Sequence, residues 1–181
     1  SVEEKIREVV ERVRRMLEKL LEDNDRSVKE ASKALDDLLR ESRRVVEEVK
    51  KALDDLRRKG LDDRTVEKLK TEIRKILKDN EDLVRELKKE LKRLLEENEK
   101  EVRRLEDEIR RIMEEAERRK IPESEVRRII RELEELVKRA TDHVRRSDKR
   151  LRELVDELRK HIRKSIEDLK RLVDEARRRK D

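Results

Sequence analysis

The sequence is most informative in what it lacks. Its 181 residues include no cysteine, phenylalanine, tyrosine or tryptophan, and only one glycine and one proline. Without cysteine there is no disulfide and no thiolate ligand, so the redox compartment cannot be inferred. One glycine is too few for a glycine-rich phosphate loop. No apolar run approaches bilayer length, and the N-terminal SVEEKIREVV does not have the pattern of a signal peptide.

Charge is abundant but balanced. Charged residues make up 59% of the chain, and 56 basic and 50 acidic residues leave a net charge of only +6. The two signs alternate at helical spacing, which is typical of a solvated surface laced with ion pairs. Nucleic-acid binding favours a one-sided basic field, with aromatic side chains for stacking on single strands. The sequence therefore predicts neither a nucleic-acid partner nor a membrane partner.

The single glycine and the single proline divide the chain into thirds. Gly60 suits the left-handed position that follows a helix, and Leu61 suits the apolar contact after it. Either Asp62 or Asp63 can cap the next helix. Pro122 suits the first residue of the third helix, where its missing N–H costs nothing. The segments around Gly60 and Pro122 are therefore each predicted to end one helix and begin the next.

Helices are expected at about 2–58, 63–119 and 122–180, with loops at about 59–62 and 120–121. Each helix would be roughly 85 Å long at 1.5 Å per residue. Connections this short force neighbouring helices to run antiparallel. The predicted fold class is all-α, a long antiparallel up-down-up three-helix bundle.

Each helix repeats its pattern at a fixed interval, as ALDDL does at 34–38 and again at 52–56. The interval is eighteen positions, or five turns, which is the period of a straight α-helix, so we expect nearly straight helices. The apolar stripe spans roughly 120–140° of each helix, which suits packing against two neighbours. Residues 1–181 are therefore predicted to form one monomeric domain that closes its own core and requires no partner.

Polar residues interrupt the apolar stripes at two matching heights. If residue i of the first helix faces residue 122 − i of the second, Asn24 faces Asn98 and Ser42 faces Asn80. The third helix adds one serine to each height, with a histidine beside it. We expect two buried hydrogen-bonded levels about 27 Å apart. Their predicted members are Asn24, Asn98, Ser147 and His143 in one, and Ser42, Asn80, Ser165 and His161 in the other.

Such levels satisfy their own donors and acceptors and penalise shifted helix registers. The alternative is that these residues lie at helix edges and are hydrated, and it stays open for Ser27, Thr141 and Asp148. No catalytic, cofactor-binding or metal site is predicted. The two histidines lie five turns apart on one helix and cannot share a metal ion. A Ser–His pair on one helix, with no oxyanion hole, does not indicate a triad.

The repeated blocks, capped ends, minimal loops and layered Asn, Ser and His residues resemble de novo designed helical bundles. The likeness is to parametrically generated bundles with buried hydrogen-bond networks, and it extends over the whole chain. Spectrin repeats are a weaker match because they usually carry core aromatic residues. The resemblance implies no natural family, substrate, cofactor or cell compartment. It implies a soluble synthetic protein that would be cytoplasmic on bacterial expression. Long helices with local contacts and a plausible cap at every end predict that the bundle is thermostable.

Three functional hypotheses follow. The first is a structural scaffold that tests a stable bundle with buried polar networks. The second is an interaction module, one component of an assembly, that binds a further helix or self-associates through apolar edges such as Leu21 and Leu39. The third is a pH-responsive bundle that uses His143 and His161.

Overall fold

The computed structural model describes all 181 residues and contains three α-helices and no strand. Helix α1 spans Val2–Arg58, α2 spans Asp63–Arg118 and α3 spans Glu123–Lys180. The protein is an all-α three-helix bundle, as the periodicity of its apolar residues predicts. The second helix ends one residue earlier than expected, and the third begins one residue later.

The end of α1 shows why the chain turns at its only glycine. Gly60 has a φ of 111°, a left-handed conformation that other residues rarely adopt. Its N–H donates to the Arg57 carbonyl over 3.1 Å, and the Leu61 N–H donates to the Leu56 carbonyl over 2.9 Å. Leu61 is buried and packs in the same apolar cluster as Leu56. These bonds form a Schellman motif, which satisfies the last carbonyls of the helix.

The next two helix starts follow from the loop residues. The Asp62 carbonyl accepts the N–H of Val66 over 3.0 Å, so Asp62 is the residue that caps α2. The Pro122 carbonyl accepts the N–H of Glu125 over 2.9 Å, and α3 begins at Glu123. Pro122 therefore occupies the capping position, one residue before the place expected for it. A residue at the capping position, like one at the first helical position, donates no N–H to the helix, so proline is tolerated at this place.

The chain divides into two compact units, each containing a segment of all three helices. The first unit comprises Ser1–Lys29 with Leu91–Leu151, and the second comprises Glu30–Glu90 with Arg152–Asp181. Each unit has its own core of fully buried aliphatic side chains, and each such side chain contributes about 1.5–3 kcal/mol. The largest in the first core are Ile6, Leu17, Leu105, Ile109 and Leu133. The second core includes Leu53, Ile73 and Leu169.

Ion pairs along one edge show the helix direction within each unit. In the second unit α1 contacts α2 through Asp36–Lys88 (2.5 Å), Arg43–Glu81 (3.5 Å) and Asp54–Lys70 (2.6 Å). The two residue numbers add to 124 in each pair, so the helices run antiparallel. The Arg7–Glu117 pair of the first unit has the same sum. The three exposed pairs, Asp36–Lys88, Arg43–Glu81 and Arg7–Glu117, add little to stability, but all four pairs report the register.

Candidate functional site

Six polar side chains are buried among the aliphatic residues, and none is more than 6% exposed. We call Asn24, Asn98 and Ser147 the first polar level, and Ser42, Asn80 and Ser165 the second polar level. The first lies within the first unit and the second within the second unit. A buried amide or hydroxyl is costly unless it is hydrogen-bonded, so the partners of these groups decide what the levels do.

In the second polar level, Asn80 connects all three helices. Its Nδ2 donates to the Ser42 hydroxyl over 2.8 Å, which joins α2 to α1. Its Oδ1 lies 3.1 Å from Ser165 Oγ, which joins α2 to α3. The Ser165 hydroxyl also lies 3.0 Å from the His161 carbonyl, so its single proton is shared between two acceptors. Both polar ends of the buried carboxamide are therefore satisfied.

In the first polar level, the hydrogen bond joins only two helices. Asn98 Nδ2 donates to the Ser147 hydroxyl over 2.9 Å, which joins α2 to α3. Asn24 is 1% exposed, and neither its Nδ2 nor its Oδ1 has a hydrogen-bond partner. The expected pairing of Asn24 with Asn98 is therefore not made in this arrangement. The amide nitrogen of Asn98 is directed towards Ser147 instead.

The two histidines do not complete the levels through their imidazoles. His161 is exposed and takes part only through its backbone carbonyl. His143 is half-buried, and the hydrogen bond of the first polar level does not involve it. Each histidine precedes its serine by four residues, a rotation of about 40° that moves it to the edge of the apolar stripe. The prediction that the two imidazoles belong to the buried hydrogen-bonded levels is therefore wrong.

One interhelical contact escapes sequence reasoning. Lys70 Nζ lies 2.6 Å from Asp54 Oδ1, and the Lys70 side chain is only 15% exposed. The hydrogen bond and the positive charge of Lys70 lower the pKa of Asp54 below its ordinary value of 3.8, with help from Arg57 and Arg58. Nothing in either helix sequence distinguishes this lysine and aspartate from the many others. Only the packing of α1 against α2 selects them.

An apolar groove runs between α1 and α3 in the first unit. Met16 is the only large apolar side chain that is exposed, at 46%. Leu20 and Val137 also line the groove, and both are half-buried. Of the two edges expected to remain apolar, Leu21 is half-buried and Leu39 is buried. The free apolar surface therefore lies at Met16 rather than at Leu39.

None of the three helices contains an apolar stretch that could cross a bilayer. No group of three or more His, Asp or Glu side chains is arranged to hold a metal ion. In comparisons with known proteins, the chain matches no protein family, and no curated protein or solved structure is significantly similar to it.

Proposed function

We propose that this protein is a de novo designed structural scaffold, a monomeric bundle whose buried polar residues specify how its helices pair. It has no natural substrate and no cofactor in this proposal. The observation that carries it is the double contact of Asn80, which bonds Ser42 on one side and Ser165 on the other. One buried side chain thereby links all three helices.

Buried polar contacts discriminate between packings better than aliphatic contacts do. Sliding α2 by one turn replaces one leucine or isoleucine with another at little cost, because such side chains repack readily. The same slide moves Asn80 away from Ser42 and Ser165, which leaves both ends of its carboxamide and the Ser42 hydroxyl without these partners. The penalty applies only to the wrong registers, so the level selects one packing among several of similar apolar burial.

The regularity of the chain supports a designed origin. On every helix, the residues of the two polar levels are separated by the same interval of five complete turns. A position on one face therefore returns to the same face, so polar residues reappear on the core side. All six residues at these positions are buried.

The triple variant S42A/N80L/S165A tests the proposal because it removes every polar group of the second level at once. We expect unchanged helicity and equal or greater stability, since no buried donor or acceptor is left unpaired. We also expect loss of the unique fold, seen as extra NMR peaks or as masses above the 22.2 kDa of one chain.

The matched control is L53I/I73L/L169I, three volume-conserving changes in the same core. It should keep one set of peaks and one mass. If the polar-to-apolar variant also keeps one set of peaks and one mass, the levels do not specify the packing and the proposal is wrong.

A self-associating module is the second candidate, and the exposure of Met16 is the observation that favours it. Stable interfaces bury about 800 Å² on each partner, far more than one methionine supplies. Light scattering over a range of concentrations separates the two. The scaffold stays at 22.2 kDa, whereas a self-associating protein shows a rising mass that M16E reduces.

A further inference from the structure

The two polar levels are nearly copies of each other. Corresponding residues recur at the same five-turn interval: Asn24 and Ser42 on α1, Asn98 and Asn80 on α2, and Ser147 and Ser165 on α3. The α2 and α3 members are identical in type. The levels differ only on α1, where one has asparagine and the other has serine.

The two α2 carboxamides nevertheless point in opposite senses. Asn80 directs its oxygen towards the serine of α3 and its nitrogen towards α1. Asn98 directs its nitrogen towards the serine of α3. A half-turn about the Cβ–Cγ bond of Asn98 would give it the orientation of Asn80. Its oxygen would then accept the proton of Ser147, and its nitrogen would face α1.

The residue that α1 offers at this height is Asn24. In the second unit, the residue numbers of each ion pair between α1 and α2 add to 124, as in Arg43–Glu81. The residue numbers of the buried hydrogen-bonded pair, Ser42 and Asn80, add to 122. In the first unit the edge pair Arg7–Glu117 also adds to 124. The core pair that adds to 122 there is Asn24 with Asn98. Asn24 has a buried Oδ1 with no partner, which is an acceptor for the turned amide.

We propose that the first polar level is a two-state hydrogen-bond relay in which Asn98 alternates between two orientations. In one, Asn98 Nδ2 donates to Ser147, and Asn24 is unpaired. In the other, the Ser147 hydroxyl donates to Asn98 Oδ1, and Asn98 Nδ2 donates to Asn24 Oδ1. The same three side chains serve both orientations, and only the second links all three helices.

The second orientation makes one more hydrogen bond and pairs the buried Asn24 Oδ1, which is unpaired in the first. The cost of leaving such a group unpaired corresponds to a population ratio of about 5 to 150. The less populated orientation therefore makes up about 1–15%. Exposed side chains change rotamer in picoseconds to nanoseconds, and relaxation dispersion detects the slower microsecond-to-millisecond exchange expected of an amide that turns within a packed core. This inference rests on the proposed function, because it describes when the first polar level can specify helix pairing.

Side-chain amide NMR on the full chain tests the relay. We expect exchange broadening at the Asn98 NH₂ group and none at the Asn80 NH₂ group, which serves as the internal control. N24S gives the first level the three residue types of the second level. It should abolish the exchange by fixing Asn98 in the orientation of Asn80, seen as a nuclear Overhauser effect between the Asn98 NH₂ group and the side chain at position 24.

N24L removes the acceptor and should abolish the exchange by leaving Asn98 on Ser147. Exchange that persists in N24L overturns the relay, and so does a static Asn98 in the unmodified protein. A long-lived water contact at Asn24 beside a static Asn98 also overturns it. A static Asn98 in a single 22.2 kDa species leaves the scaffold proposal intact, whereas a concentration-dependent mass contradicts that proposal instead.

Discussion

The amide nitrogen of Asn80 lies 2.8 Å from the hydroxyl oxygen of Ser42, a buried bond between residues 38 positions apart in the chain. Neither side chain is exposed at all. Water cannot replace the bond locally, so its loss leaves polar groups without compensation. The energetic role of the second polar level therefore depends on Asn80 more than on either serine.

N80A should destabilise the protein more than N24A does. Removing Asn80 strands the Ser42 hydroxyl, whereas removing Asn24 strands no group while Asn98 is bonded to Ser147. The expected difference in the free energy of unfolding is about 1–3 kcal/mol, the cost of an unsatisfied buried group. Both variants remove the same atoms, so N24A is the control for lost volume. Equal losses in chemical denaturation would show that the hydrogen bonds of Asn80 contribute nothing net.

Giving each level the α1 residue of the other should change the free energy of unfolding in opposite directions. N24S should stabilise the protein, because a serine hydroxyl can accept from Asn98 as Ser42 accepts from Asn80, whereas the buried amide nitrogen of Asn24 has no partner in either orientation of Asn98. S42N should destabilise it, because the larger asparagine side chain must fit into the space that the Ser42 side chain fills beside Asn80. Each effect is expected to be about 1 kcal/mol. Denaturation midpoints that move in the same direction for both variants would contradict the equivalence of the two levels.

Helix ends and the heights of the polar residues could be predicted from the sequence because both depend on local rules. Gly60 marks a left-handed position whatever surrounds it, and five complete turns always return to the same helix face. The facing of Ser42 and Asn80 follows from that period and the length of the first loop. These are properties of single helices and of one short connection.

Side-chain orientation could not be predicted, since it depends on neighbours in three helices at once. Asn98 directs its amide nitrogen towards Ser147 and Asn24 has no partner, and no periodicity encodes which end of an amide faces which helix. The repeat predicts a core position for His161, which is exposed, because a shift of about 40° on a helix separates the core from its edge.

Replacing Gly60 should weaken the first loop through backbone strain alone. A Cβ at this position would meet no atom within 4 Å, so no steric clash contributes. The left-handed conformation still costs other residues about 1–2 kcal/mol, and G60A should lower the free energy of unfolding by about 1 kcal/mol. G60N should cost less, because asparagine tolerates this conformation better. Equal effects of the two variants would argue against a strained backbone.

Acid should weaken the contact between Asp54 and Lys70. The hydrogen bond from Lys70 holds the folded-state pKa of Asp54 below its ordinary value of 3.8. A carboxyl whose pKa is lower in the folded state stabilises the protein above its unfolded-state pKa. That contribution disappears as the pH falls through the lowered folded-state value. The free energy of unfolding should therefore decrease as the pH falls below about 4.

D54N removes this titrating group, so its stability should fall less steeply over the same acidic range. The matched control is D36N, which alters another α1 carboxylate paired with an α2 lysine; there the lysine, Lys88, is 39% exposed, against 15% for Lys70. Because the deeper pair is less accessible to water and salt, added salt should weaken it less. Chemical denaturation from pH 5 down to about pH 2.5 compares the three proteins. Stability curves of the same slope for D54N and the unmodified chain would show that Asp54 has the same pKa folded and unfolded, and the part-buried contact with Lys70 would then be absent in solution.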